Sequence, residues 1–124
     1  MAQSYRDLKV WQKAVAMVTD VYRFTRIFPR EELYGLTSQI RRAAVSVPSN
    51  IAEGKGRSNK DFSRFLLQAR GSLLELETQL QIACNLAYLP PEAFQELIKQ
   101  TEELGRMLNG MLSALQRADA NPAP

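Results

Sequence analysis

Histidine is absent from the 124 residues, and cysteine occurs once, at Cys84. Without imidazole there is no His-based acid–base relay, no His metal ligand and no ordinary side-chain switch near neutral pH. One thiol and no imidazole exclude the familiar zinc sites, and a lone cysteine cannot close an internal disulfide. A reducing, cytoplasmic location is the simplest expectation. Long apolar runs are missing too. None approaches the ~18 residues of a membrane-spanning helix, and the first residues lack the apolar stretch of a secretory signal, so no membrane partner is expected. Glycine and proline number six each, which punctuates the chain sparsely and leaves long uninterrupted stretches between breaks.

Those stretches read at helical period. The first is expected over about residues 7–28, with Leu8, Trp11, Val15, Val18 and Tyr22 as its inward seam and Ala14, Val21 and Phe28 alongside. Pro29 stops it. The second spans 36–54, with Leu36, Ile40, Ala43, Val47 and Ile51 on one face, and ends at Gly54-Lys55-Gly56. Pro48 lies inside it and deprives the Ala44 carbonyl of its donor, so a kink is expected, with Ser46, Ser49 and Asn50 placed to compensate.

Ser58 and Asp61 form a variant capping box for the third helix, expected over 59–88. Its seam (Phe62, Leu66, Ala69, Leu73, Leu76, Leu80, Ala83, Ala87) alternates steps of four and three without a miss. Pro90-Pro91 separates it from the fourth helix, 91–117, where Phe94, Leu97, Thr101, Leu104, Leu108, Met111 and Leu115 repeat the alternation. Residues 119–124 have nothing to bury and are expected to be a disordered tail. The prediction is all-α: one domain over 1–118, an up-down-up-down antiparallel four-helix bundle with left-handed, coiled-coil-like packing.

Two helices carry a second row. Opposite the core seam of the second lie Ser38, Arg42, Val45, Ser49, Ala52 and Gly56, small except for Arg42. Beside the core seam of the third run Arg64, Leu67, Gly71, Leu74, Thr78 and Gln81. Gly71 costs about 1 kcal/mol in a helix interior relative to alanine, and a close partner would supply a reason to keep it. One reading packs these small residues against neighbours within the bundle. The other docks a second bundle on Ser38, Arg42, Val45, Ser49, Ala52, Leu67, Gly71 and Leu74, since exposed apolar area marks interfaces.

Charge is uneven along the chain. The formal net charge is +3, divided as +5 over residues 1–62 and −2 over 63–124. Arg41, Arg42, Lys55, Arg57, Lys60 and Arg64, followed by Arg70, face only Glu53 and Asp61 in the same stretch. The first six are candidate phosphate contacts, with Lys55, Arg57 and Lys60 clustered at the turn between the second and third helices. A solvated turn is the alternative, with Arg41 and Arg42 pairing to Glu53 or Glu75.

Catalysis finds no such cluster. A di-metal bundle site needs Glu-x-x-His pairs pointing inward, and Glu75 and Glu77 flank Leu76 on opposite sides. The expected role of Glu53, Glu75 and Glu77 is ion pairing with Arg41, Arg42 or Arg70. Gly54-Lys55-Gly56 follows a helix and lacks phosphate-loop spacing. Cys84 reads as a small hydrophobe. No catalytic residue, metal or cofactor is expected.

The stretch from Tyr34 to Gly54 (YGLTSQIRRAAVSVPSNIAEG) resembles the small four-helix bundle proteins of intervening sequences in bacterial large-subunit ribosomal RNA genes. The accessory variability proteins of diversity-generating retroelements are similar to the same group. Leu8 to Ala14 (LKVWQKA) and Gly71 to Leu80 (GSLLELETQL) carry the likeness further, over nearly the whole chain to about Leu115. The resemblance implies a cytosolic homopentamer, five bundles around one axis, with no known enzymatic activity. For the retroelement branch it implies binding of structured RNA and of a reverse transcriptase. That branch is notably basic, whereas this chain carries only +3. A scaffold that holds a protein partner and touches no nucleic acid is the competing expectation.

Overall fold

The computed structural model describes residues 4–120. Among them are four helices: α1 (Lys9–Thr25), α2 (Leu36–Gly54), α3 (Asn59–Asn85) and α4 (Pro91–Ala120). Short 3-10 turns, Tyr5–Asp7 and Arg30–Glu32, precede α1 and α2. Each helix lies beside two others: α1 beside α2 and α4, and α3 beside α2 and α4. The diagonal pairs have no Cα atoms within 8 Å of each other. This is a four-helix bundle. Cross-helix pairs descend on one helix as they ascend on its neighbour. Ser46 meets Ser72 (2.8 Å) while Gly54 lies against Phe62 and Phe65. Glu77 meets Thr101 (2.7 Å) and Arg70 meets Asn109 (3.0 Å).

The seams of α2 and α3 lie where their spacing places them. Ile40, Ala43, Val47 and Ile51 are buried against Phe62, Leu66, Ala69, Leu73, Leu76, Leu80 and Ala83, and on α4 Leu97, Thr101, Leu104 and Leu108 complete the interior. On α1 the expected seam is rotated. Val10, Ala14, Met17 and Val21 point inward, Leu8, Trp11 and Val18 sit at the margin, and Val15 and Tyr22 are 37% and 41% exposed. The apolar arc of α1 is wider than one seam, so periodicity alone could not choose its centre. Tyr22 has an outside use: the Arg41 guanidinium lies 4.6 Å from its ring centroid.

Helix ends are set by local chemistry. Ser4 and Asp7 close a reciprocal capping box on the first turn, and α1 starts at Lys9 and stops at Thr25, inside the expected 7–28. α3 stops at Asn85 rather than 88, because Ala87 adopts a left-handed φ of 62°. The Ala83 carbonyl then accepts from the Tyr88 and Leu89 N–H groups (2.9 and 3.3 Å), a left-handed cap usually given to glycine. Ala87 is therefore exposed and leaves the predicted seam. α4 continues to Ala120, through the first two positions of the expected tail, and Asp119 accepts from Asn59 at the start of α3 (3.4 Å). Residues 121–124 of that tail lie outside the described residues.

α2 is continuous across the buried Pro48. The Asn50 amide donates to the carbonyl and hydroxyl of Ser46 (2.8 and 3.0 Å), not to the Ala44 carbonyl that proline frees. Near the far end of α2, Gly54 fixes its approach to α3. A Cβ there would stand 2.7 Å from Phe65 Cβ and 3.0 Å from Phe62 Cδ1. A Cβ cannot swing aside as a side-chain tip can, so Gly54→Ala must push the two helices apart. The expected cost is about 1–3 kcal/mol, read by urea unfolding; an unchanged midpoint contradicts this account of the packing.

Candidate assembly and nucleic-acid interface

The turn between α2 and α3 is built by Gly56, whose φ of 93° reverses the chain, and by Ser58, whose Oγ accepts from the Asp61 N–H (3.2 Å). Four cations surround it. Arg57 donates to the Glu53 carbonyl (2.8 Å), pairs loosely with the Glu53 carboxylate (3.9 Å) and lies 5.0 Å from the Phe65 ring centroid. Arg64 lies 5.5 Å from the same ring and 3.5 Å from Asp61. Lys55 and Lys60 have no ion-pair partner among the described residues. Phe65, which belongs to no predicted seam, thus gathers two guanidiniums; an aromatic interleaved with arginines is its signal in the sequence.

The other two predicted cations are elsewhere. Arg41 precedes Lys55 by fourteen residues, about 20 Å along the α2 axis. It faces α1, where its Nε donates to Thr25 Oγ1 (2.9 Å) beneath the stacking on Tyr22. Arg42 points outward into a groove with Gln39, Ser46, Ser72 and Glu75. The six predicted phosphate contacts therefore do not form one patch: Lys55, Arg57, Lys60 and Arg64 stay together, while Arg41 and Arg42 leave. Spacing by helical turns cannot foresee this, because fourteen residues return nearly to the same angle but far along the axis.

The expected ion pairs of Glu75 and Glu77 are also replaced. Glu77 accepts from the Thr101 hydroxyl (2.7 Å), Arg70 donates to Asn109 (3.0 Å), and Glu75 accepts from Gln79 (3.5 Å). Glu53 does form an ion pair, but with Arg57 and not with Arg41, Arg42 or Arg70. The carboxyl of Glu103, far from the turn, is held below its usual range by the hydrogen bond and charge of Lys13. Tyr88 is raised by its hydrogen bond to Glu32, by burial and by the neighbouring acidic charges.

Both second rows lie at the surface. On α2, Arg42, Val45 and Ser49 are exposed and Ser38 and Ala52 half-buried, while Gly56 is exposed in the turn that follows. On α3, Leu67 and Leu74 are 46% and 59% exposed on either side of Gly71. A Cβ at Gly71 would meet nothing within 4 Å. Packing inside one bundle thus gives no steric reason for glycine at that position. No helix of the described residues is long and apolar enough to cross a membrane.

The sequence profile of the 23S rRNA-intervening sequence proteins matches residues 6–110. The chain belongs to this family. The match runs from the first turn through α1, α2 and α3 and most of α4, so it includes the basic turn and both outward rows. The family is described by its gene context and not by an enzymatic reaction. No curated protein matches the chain.

Proposed function

We propose that this intervening-sequence protein is a non-catalytic, self-assembling bundle, a homopentamer, that contacts structured RNA through its repeated α2–α3 turn in the cytoplasm. One observation carries the reading: α3 exposes two leucines around an uncovered Gly71, and the α2–α3 turn holds two lysines with no ion-pair partner among the described residues. Docking through Ser38, Arg42, Val45, Ser49, Ala52, Leu67, Gly71 and Leu74 would remove apolar surface from water. It would also let small side chains bring the helices of two copies close together. Five copies would repeat Lys55, Arg57, Lys60 and Arg64 around one rim. Such a rim suits phosphates by charge and spacing and needs no contact with base edges.

A protein-only scaffold, with a reverse transcriptase or another protein as partner, is favoured by a different fact. Arg57 and Arg64 are already occupied by Glu53, Asp61 and Phe65, which leaves fewer free cations than the sequence count suggests. Fluorescence anisotropy with a labelled structured RNA separates the two. Binding is expected to weaken about tenfold between ~50 and ~200 mM salt if two phosphates are contacted. The triple variant Lys55→Glu, Arg57→Glu, Lys60→Glu should lose it while keeping the wild-type mass. Absence of binding at low salt, or undiminished binding by the variant, removes RNA from the proposal.

A further inference from the structure

We infer that a small pocket between the end of α1 and the start of α2 binds a phosphate group, as the free ion or as a terminal phosphomonoester. The pocket lies along α2 from the basic turn and does not depend on self-assembly or on RNA contact at that turn. It measures about 130 Å³; Arg26, Arg30 and Arg41 line it together with Thr25 and Thr37, beside the apolar Phe28, Pro29 and Leu33. No carboxylate contributes to the lining.

Three arginines border one small space, and an anion bound there would offset the repulsion among their charges. None of the three forms an ion pair among the described residues. The nearby Glu32 is engaged elsewhere: Oε1 accepts from the Leu36 N–H (3.1 Å) and Oε2 from the Tyr88 hydroxyl (3.1 Å). Arg41 is held in place by Tyr22 and by the bond from its Nε to Thr25. Its terminal amino groups have no protein acceptor among the described residues, and a planar fork of this kind matches two phosphate oxygens.

Thr37 gives the independent indication. It is 3% exposed, and its Oγ1 has no hydrogen-bond partner among the described residues. A buried hydroxyl without a partner carries a desolvation penalty that a ligand oxygen relieves once the side chain rotates toward the pocket. Thr37 is also the second residue of α2, so its backbone N–H belongs to the helix start, where amides lack intrahelical acceptors and anions are favoured. A pocket this small takes a terminal group and not a strand passing through. That limits the ligand to a compact anion, a condition that a phosphate group meets.

The test is a titration of the full chain at low ionic strength, by calorimetry and by the rise in Tm, with inorganic phosphate and separately with adenosine 5′-monophosphate. Saturable binding of at least one is expected. Tighter binding of the nucleotide identifies a phosphomonoester as the natural ligand, and tighter inorganic phosphate identifies the free ion. Arg30→Gln, at an exposed position, should weaken binding about tenfold or more. Thr37→Val loses no existing bond, keeps the fold and should show a smaller phosphate-induced rise in Tm. Lys55→Gln should bind phosphate as the wild type does, which separates this pocket from the basic turn. The assignment is overturned by absence of saturable binding, by an equal response to sodium chloride of matched ionic strength, or by an undiminished response in both Arg30→Gln and Thr37→Val.

Discussion

Leu76→Ala should cost the bundle about 2–5 kcal/mol, whereas Leu74→Ala, two residues away on the same helix, should change the stability of a single bundle by less than about 0.5 kcal/mol. Leu76 is fully buried among the side chains of the interior, and Leu74 is 59% exposed. Truncating Leu76 removes apolar area from the core and leaves a cavity that four packed helices cannot fully close. Truncating Leu74 removes a side chain that the single bundle scarcely touches. Chemical denaturation of the two variants under conditions where only the single chain is present measures the contrast. Equal costs would mean that α3 is turned differently about its axis, and with it the whole assignment of inner and outer faces.

The double variant Leu67→Glu, Leu74→Glu should dissociate the assembly and leave each bundle folded. Both positions are exposed in the single chain, and glutamate is about as good a helix former as leucine, so helicity should persist. Across a docked interface the same change places two carboxylates from each copy in surroundings built for apolar contact. Unpaired charges there carry a penalty of several kcal/mol per ion. Light scattering should give the mass of one chain, 14.0 kDa, with an unchanged helical circular dichroism signal. A variant that keeps the wild-type mass would place the contact elsewhere, and the uncovered Gly71 would lose its explanation.

These predictions depend on α2 and α3, the helices whose orientation was most legible in the sequence. Their buried side chains follow one regular row on each helix, distinct from the outward rows that carry Val45, Leu67 and Leu74. On α1 the apolar residues spread over a wider arc. Val15 and Tyr22 fit the period as well as Val10 and Met17 do, and contacts with other helices decided between them. Tyr22 is drawn outward by Arg41, a partner nineteen positions away that no local pattern announces. The boundaries of α1 and α3 moved for a similar reason. A left-handed Ala87 and a 3-10 turn at Tyr5 are matters of backbone conformation, to which hydrophobic spacing is blind.

Candidate site residues divided along the same line. The cluster at the α2–α3 turn was readable because Lys55, Arg57, Lys60 and Arg64 are close in sequence and stay close in space. Charge alone groups Arg41 and Arg42 with them, and the helix carries them away. The pocket at the other end of α2 was invisible beforehand. Arg26, Arg30 and Arg41 come from three different segments, and the isolated hydroxyl of Thr37 exists only once α2 is packed.

The mass of the wild-type chain in dilute solution, by light scattering at micromolar concentration, tests the central claim of self-assembly most directly. The account predicts a whole-number multiple of the 14.0 kDa chain, five-fold for the pentamer. A single-chain mass would contradict it and leave Leu67, Gly71 and Leu74 facing water.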